Sequence, residues 1–306
     1  MARYMSHEFG NLRIFKNWIC DQCENKCLCT RAVSEVEVFV LAFHHEQTIE
    51  QALDSILVQS LPDSEYSIFI HDDASEDNTV RLAVDKLATR NVKWTIVQEA
   101  TNKFSETKFR FVFDAVTASR SKYLAFLEGD DYWSSPDKLA RQVRFLNSDG
   151  KANLIHTRYQ VRNELSDSIS IQPDTGFRIS KLQSASYLLR ENYVGALTAM
   201  VRVRAVQETL LDFSTYSFEV ADYPLWLAAT SHAGSIIGFD SKLSATYRIH
   251  GNNYWAQTNF LDGLEATRIV QRSLGKALGF PIGMTKVRLV LAILRRRIIQ
   301  MIVKPK

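Results

Sequence analysis

Outside one ten-residue stretch the chain has no cysteine. Cys20, Cys23, Cys27 and Cys29 lie together, and the rest of the 306 residues contain none. A fold of this size without scattered cysteines has no disulfide framework, which suits a reducing cytosol. No window reaches the roughly 18–20 uninterrupted apolar residues that a membrane span needs. The N-terminus also lacks the apolar stretch and small-residue cleavage site of a secretory signal. Acids are missing from residues 284–306, where seven of the 37 basic residues lie, which leaves 30 basic against 34 acidic residues elsewhere. A mildly negative body argues against wholesale nucleic-acid binding, and no nucleic-acid partner is expected. No internal repeat or low-complexity tract breaks the chain.

What is present alternates. Residues 36–43 read as a buried strand, short and β-branched or aromatic. Ile49, Ala52, Leu53, Ile56 and Leu57 then recur at helical spacing. Strands follow at 66–71, 92–97 and 123–127, and helices around 80–87 and 108–119. Ser135 reads as the cap of a further helix, with Pro136 in its first turn. Four strand–helix alternations predict an α/β fold with a mostly parallel sheet flanked by helices. Beyond 150 strands are expected near 153–161, 194–203 and 236–249, with helices near 181–190, 205–211, 222–231 and 260–278. The division expected is a cysteine-containing segment 1–34, a domain 35–255 and a helical region 256–306. Within the domain, 35–150 would bind nucleotide and 151–255 would complete an acceptor cleft.

The strand ends are acidic. The second strand runs into HDDASED at 71–77 and the fourth into EGDDYW at 128–133. In open α/β sheets ligands bind beyond the carboxyl ends of the strands. Carboxylates crowded there would repel unless a cation or ligand donors sat between them. Hard oxygen ligands suit Mg²⁺ or Mn²⁺ bridging diphosphate oxygens. One such pair alone reads as readily as solvated turn formers.

Residues 36–148 resemble the nucleotide-sugar-binding half of the inverting family 2 glycosyltransferases, which have the GT-A (Rossmann-like) fold. The stretches that carry the likeness are AFHHE at 42–46, ALDSILVQ at 52–59, DDASED at 72–77 and EGDDYW at 128–133 with PDKL at 136–139. ADYPLWL at 221–227 and YRIHG at 247–251 extend it to about residue 255. The resemblance implies a nucleotide-diphospho-sugar donor, UDP-linked by family habit, and a saccharide or lipid-linked acceptor in surface polysaccharide or glycan synthesis. It sets Phe43 against the base, with Glu46 in the same binding stretch, and Asp72 and Asp73 at base and ribose. Asp130 and Asp131 fall at the metal and diphosphate, Asp222 at the catalytic base. Arg248 falls at the diphosphate and His250 at the metal or diphosphate. The chain departs from the family at Ala42, Phe43 and His44, where Thr or Ser, Tyr and Asn are usual. It departs again at Glu128, where Asp is commoner.

Inverting transfer needs charge stabilisation on the leaving diphosphate and a base for the acceptor hydroxyl. Asp222, in an apolar setting, is the expected base, with Glu219 next in line. A helix cap ahead of Pro224 is the other reading of Asp222, and a satisfied loop histidine that of His250. Trp133 and Trp226 read equally as sugar platforms or core. A sugar nucleotidyltransferase would share fold and metal, but its Gly-rich phosphate loop is missing at 44–47. A non-enzymatic binding module would centre on the cysteines, whose C-x₂-C-x₃-C-x-C spacing leaves structural Zn²⁺, an iron–sulfur site and unliganded thiols all open. Val287, Val290, Leu291, Leu294, Ile298, Met301 and Ile302 form one helical stripe among the basic residues. That stripe suits either the inner face of an anionic membrane or a protein surface.

Overall fold

The computed structural model describes residues 4–18, 30–173, 182–183, 188–189, 192–209, 218–251 and 260–277. Its centre is the parallel set β3 (Val36–Ala42), β4 (Tyr66–Asp72), β5 (Lys93–Glu99) and β6 (Tyr123–Glu128), lying in the order β5-β4-β3-β6. These strands are apolar on both faces because helices cover both. Val36, Val38 and Val40 of β3 join one core with Ala52, Leu53 and Ile56 of α1 (Ile49–Leu57). Phe39 joins the other core, with Phe126 and Trp226. Each fully buried side chain of this kind contributes about 1.5–3 kcal/mol, and Leu53→Ala would cost about 2–5 kcal/mol.

The chain lays down β3, β4 and β5 in one direction and then returns to place β6 on the far side of β3. That reversal opens a crevice between the ends of β3 and β6, where α/β sheets bind ligands. α2 (Thr79–Leu87) follows β4. The helix expected near 108–119 is α4 (Arg110–Ala118), and a short helix that was not expected, α3 (Lys103–Thr107), precedes it. Lys108 at φ 55° turns the chain between them. β7 (Tyr132–Trp133) follows the acidic turn, and α5 (Lys138–Ser148) begins two residues later than Pro136 suggests. Ser135 gives its hydroxyl to the Asp137 carboxylate (2.6 Å) rather than capping the helix.

Beyond β6 the sheet becomes mixed. The long strand β8 (Ala152–Asn163) folds back through β9 (Ser168–Gln172), and β10 (Leu182–Gln183) forms the far edge. Where a strand was expected at 194–203, a 3₁₀ turn (Ala196–Thr198) precedes a short β11 (Met200–Arg202), antiparallel to both β6 and β8. α6 (Val203–Thr209) and α7 (Asp222–Thr230) lead to β12 (Ile236–Ile249), which runs parallel to β8 and also pairs with β7. α8 (Phe260–Ala277) buries Ala266, Val270 and Leu274.

The segment 1–34 is not wholly apart from the sheet. β1 (Met5–Phe9) and β2 (Leu12–Lys16) form a hairpin, and β2 pairs antiparallel with β5. Pairing with β5 satisfies backbone groups that an open edge would leave exposed. Further on, Arg31 is buried in an ion pair with Glu37 (2.7 Å) and lies 3.3 Å over the Phe69 ring. The four cysteines, the helix expected at 181–190 (apart from 182–183 and 188–189) and the basic tail lie outside the described residues. Among the described residues no helix is long and apolar enough to cross a membrane.

Candidate active site

The acidic turn after β6 is the centre of the site. Glu128, Asp130 and Asp131 each offer a carboxylate oxygen, all within 4.8 Å of one another. Burial pushes the Glu128 carboxyl up to about 8, helped by the charges of Asp130 and Asp222. Burial raises Asp131 well above its usual range too, with Asp130 and Glu128 adding to it. Asp130 is held below the usual carboxylate range: burial opposes ionisation, but the hydrogen bond with His250 and the nearby His45 outweigh it. Three crowded oxygen donors with such costs fit a hard divalent ion, which would favour all three ionised forms.

The turn is held from two sides. Asp130 Oδ2 lies 3.0 Å from His250 Nε2 and 3.8 Å from His45 Nε2. Arg248 donates its backbone N–H to Asp131 Oδ1 (2.8 Å) and Nη1 to the Asp130 carbonyl (2.7 Å), and Nη2 bonds Gln51. Its guanidinium, expected at the diphosphate, is therefore turned to protein and lies 4.9 Å over the Tyr132 ring. His45 is a site residue that the sequence motifs do not single out. Its signal was Gly129: a Cβ there would stand 2.6 Å from His45 Nδ1, so only glycine lets the imidazole approach.

A cavity of about 450 Å³ adjoins the turn. Glu128, Asp131 and Asp222 line it together with Asn192, Tyr159 and Tyr247, amid apolar side chains from β3, β6 and α7. Asp222 is the first residue of α7, one place inside the cap position that the alternative reading gave it. Its Oδ1 accepts from the Tyr223 N–H (2.7 Å) and its Oδ2 from Asn192 Nδ2 (3.2 Å). Burial raises its pKa, and these hydrogen bonds oppose the shift. Tyr159, Tyr247 and Asn192 carry no signature in the sequence, as aromatic and amide residues in strands and loops do not. Glu219 lies instead at the surface, 3.8 Å from Lys108 Nζ.

A second cleft, about 790 Å³, opens where β3, β4 and β5 end and is walled by the β1–β2 turn. Phe43 lines it, 41% exposed and stacked on His44 at 4.1 Å. The nearby acids are occupied by the chain's own donors. Asp72 accepts from the N–H (2.9 Å) and hydroxyl (2.5 Å) of Ser75, and burial pushes it up to about 6. Asp73 accepts from the N–H groups of Lys103 (2.5 Å) and Phe104 (3.1 Å), at the start of α3. Glu46 accepts from the N–H (3.1 Å) and side-chain amide (3.0 Å) of Asn78, just before α2. Trp133 and Trp226 are core: the indole of Trp133 bonds the Leu197 carbonyl (2.9 Å), and Trp226 packs edge-on to Phe126.

The chain matches the family described as glycosyl transferase family 2 over residues 37–208, and it belongs to that family. It has the GT-A fold. It is 25% identical over 220 residues to an uncharacterized protein of Mycobacterium tuberculosis, covering 72% of this chain. That match spans only 60% of the mycobacterial protein's length. Bacillus subtilis EpsE, named as a glycosyltransferase, is 32% identical over 127 residues, 42% of this chain and 41% of its own. Among solved structures, S. aureus TarS in complex with UDP-GlcNAc superposes with a TM-score of 0.59 at 17% identity, over 77% of this chain and 65% of that one. The mannosyltransferase PcManGT from Pyrobaculum calidifontis, in complex with GDP-Man and Mn²⁺, gives 0.57 at 18%, over 74% and 60%. At those identities the two structures establish the fold.

Proposed function

We propose that the protein transfers a glycosyl group, with inversion, from a nucleoside diphosphate sugar to an acceptor hydroxyl. The observation that carries this reading is one cavity lined both by the acidic turn and by Asp222. The nucleoside would lie in the larger cleft against Phe43, the diphosphate at the turn, and the acceptor in the cavity. TarS and PcManGT bind UDP-GlcNAc and GDP-Man respectively, which favours a nucleotide sugar here, with UDP as the first donor to try. A saccharide or lipid-linked hydroxyl, in glycan or polysaccharide synthesis, is the acceptor class. The tail beyond 283 would rest on an anionic membrane surface.

Asp130 and Asp131, with Glu128, would hold Mg²⁺ or Mn²⁺. When bound, that ion supplies positive charge against the departing diphosphate. His250 donates to Asp130 and keeps its carboxylate ionised and oriented. Asp222 takes the acceptor proton as the hydroxyl oxygen attacks the anomeric carbon and the bond to the diphosphate oxygen breaks. Its apolar surroundings raise its basicity, and Asn192 fixes which oxygen faces the cavity. The apolar wall limits water, the competing acceptor.

The deciding experiment incubates the full chain with UDP- and GDP-sugars, with Mn²⁺ or Mg²⁺ or chelator, and follows nucleoside diphosphate release. Metal-dependent release from one donor, faster with a saccharide acceptor, supports the reading. Pyrophosphate release from a nucleoside triphosphate and sugar phosphate would make the protein a nucleotidyltransferase instead.

A further inference from the structure

The site above leaves one buried cation without a part in the chemistry. Arg248 is only 6% exposed, and its fork reaches two elements. Nη1 meets the main-chain carbonyl of Asp130 at 2.7 Å, while Nη2 meets Oε1 of Gln51 on the exposed side of α1. The same residue's backbone N–H fixes Asp131 Oδ1 at 2.8 Å. α1 grips the turn a second time through Thr48, just before its first residue, whose hydroxyl donates to the Gly129 carbonyl (2.9 Å).

A buried carbonyl without a donor costs about as much as a lost hydrogen bond, so the turn needs such partners to keep its shape. A planar guanidinium can serve two acceptors in fixed directions; an ammonium cannot. A guanidinium used in this way is not available to a phosphate.

We propose that Gln51 and Arg248 form a brace that sets the geometry of the acidic turn, making both positioning residues for cation binding rather than contacts of the diphosphate. The proposal rests on the cation reading of that turn. It extends the site to a surface residue of α1 that touches neither cleft. Partners that orient the ligands of a metal typically change its affinity by about 10–100-fold. The exposed Gln51 should sit at the low end and the buried Arg248 at or above it.

The test titrates Mn²⁺ alone into metal-free full-length protein, read by water-proton relaxation, beside a thermal melt. Gln51→Ala should weaken Mn²⁺ about 10-fold with only a small change in melting temperature, because Gln51 itself is exposed. Gln51→Glu, which keeps an acceptor for Nη2, should restore it. Arg248→Lys keeps the charge but not the fork, so it should weaken Mn²⁺ at least as much, while metal-free affinity for UDP stays the same. Parent-like Mn²⁺ binding by Gln51→Ala would overturn the brace. So would an Arg248→Lys protein that holds Mn²⁺ normally but loses UDP. Failure of the parent itself to bind Mn²⁺ would instead overturn the cation reading on which the brace depends.

Discussion

Asp222→Asn is the substitution on which the proposed chemistry turns. In the parent, Oδ1 takes the Tyr223 N–H and Oδ2 takes the Asn192 amide. An asparagine at 222 keeps the first bond through its own Oδ1. Its new amide would face the amide of Asn192, two donors nose to nose. Asn192 has a remedy, since its Oδ1 is buried without a partner among the described residues and a flip of the side chain presents that oxygen. The variant should therefore fold and melt like the parent. A positioned base contributes about 10²–10⁴-fold, or about 2.7–5.4 kcal/mol of barrier at 1.36 per tenfold, and kcat should fall by that much. Donor affinity should survive. The pH profile adds a second readout. Because burial raises the Asp222 pKa, its basic form is lost as pH falls through a value above the ordinary aspartate range. The parent should show an acid limb there with a slope of one, and the variant should lack it. Full transfer activity in Asp222→Asn would refute the reasoning and pass the role to Glu128, the other half-buried carboxylate of the cavity, whose pKa of about 8 suits a base. Lost donor affinity would place Asp222 among the donor contacts.

Asp130→Ala or Asp131→Ala should abolish the extra thermal stabilisation that UDP gains from Mn²⁺, measured by melts with and without the ion. Asp73→Ala should lower stability by about 0.5–2 kcal/mol, the usual cost of a lost helix-start partner, because its carboxylate holds the Lys103 and Phe104 N–H groups; if it weakens UDP binding without altering the melt, the carboxylate belongs to the nucleoside. Gly129→Ala should displace His45, whose Nδ1 would lie 2.6 Å from the new Cβ, and should weaken Mn²⁺ binding; Gly238→Ala, whose Cβ would run into the Phe145 ring far from the turn, should cost about 1–3 kcal/mol of stability and leave Mn²⁺ binding alone. His71 and His156 are both depressed to about 3 by burial, so their neutral forms stabilise the fold fully above about pH 6.5 and that stability is lost as pH falls toward 3. Stability in urea melts should fall across that window, and a His156→Phe protein whose fall is as steep as the parent's would count against the assignment.

The parallel strands were legible because each is buried on both faces and so reads as an unbroken apolar run bounded by turn residues. The β1–β2 hairpin was not. β2 reads Leu12 to Lys16, with a lysine that is 1% exposed, so its pattern resembles a half-polar loop. The buried ammonium of Lys16 lies 4.7 Å over Trp18, a contact that exists only once the chain has folded. α3 was hidden for the same reason: its start is held by Asp73, remote in sequence, which accepts from the Lys103 and Phe104 N–H groups. Within the site, the acids were legible as types and in order, but their partners were not. Asp72, Asp73 and Glu46 look alike on paper as ligand contacts, yet each already holds a backbone N–H at a turn or helix start. That is where short acidic side chains are most often placed.

The contrast between the two acidic strand ends is informative in itself. After β4, every carboxylate whose bonds are described closes a turn or a helix start, so the negative charge is met by the chain's own dipoles. After β6 the arrangement differs. Arg248 serves main chain and one oxygen of Asp131, His250 serves one oxygen of Asp130, and Glu128 and Asp131 are left with pKa values raised by burial and by each other. A fold that needed only a turn here could use Asn or Ser and avoid the repulsion. With three acids within 4.8 Å of one another, full ionisation would be favoured by positive charge from outside, and Asp222 lies close enough to add to the field on Glu128. Among the described residues, the turn after β6 is thus where carboxylates crowd one another, and the proposed cation with its diphosphate is the chemistry that would relieve that crowding.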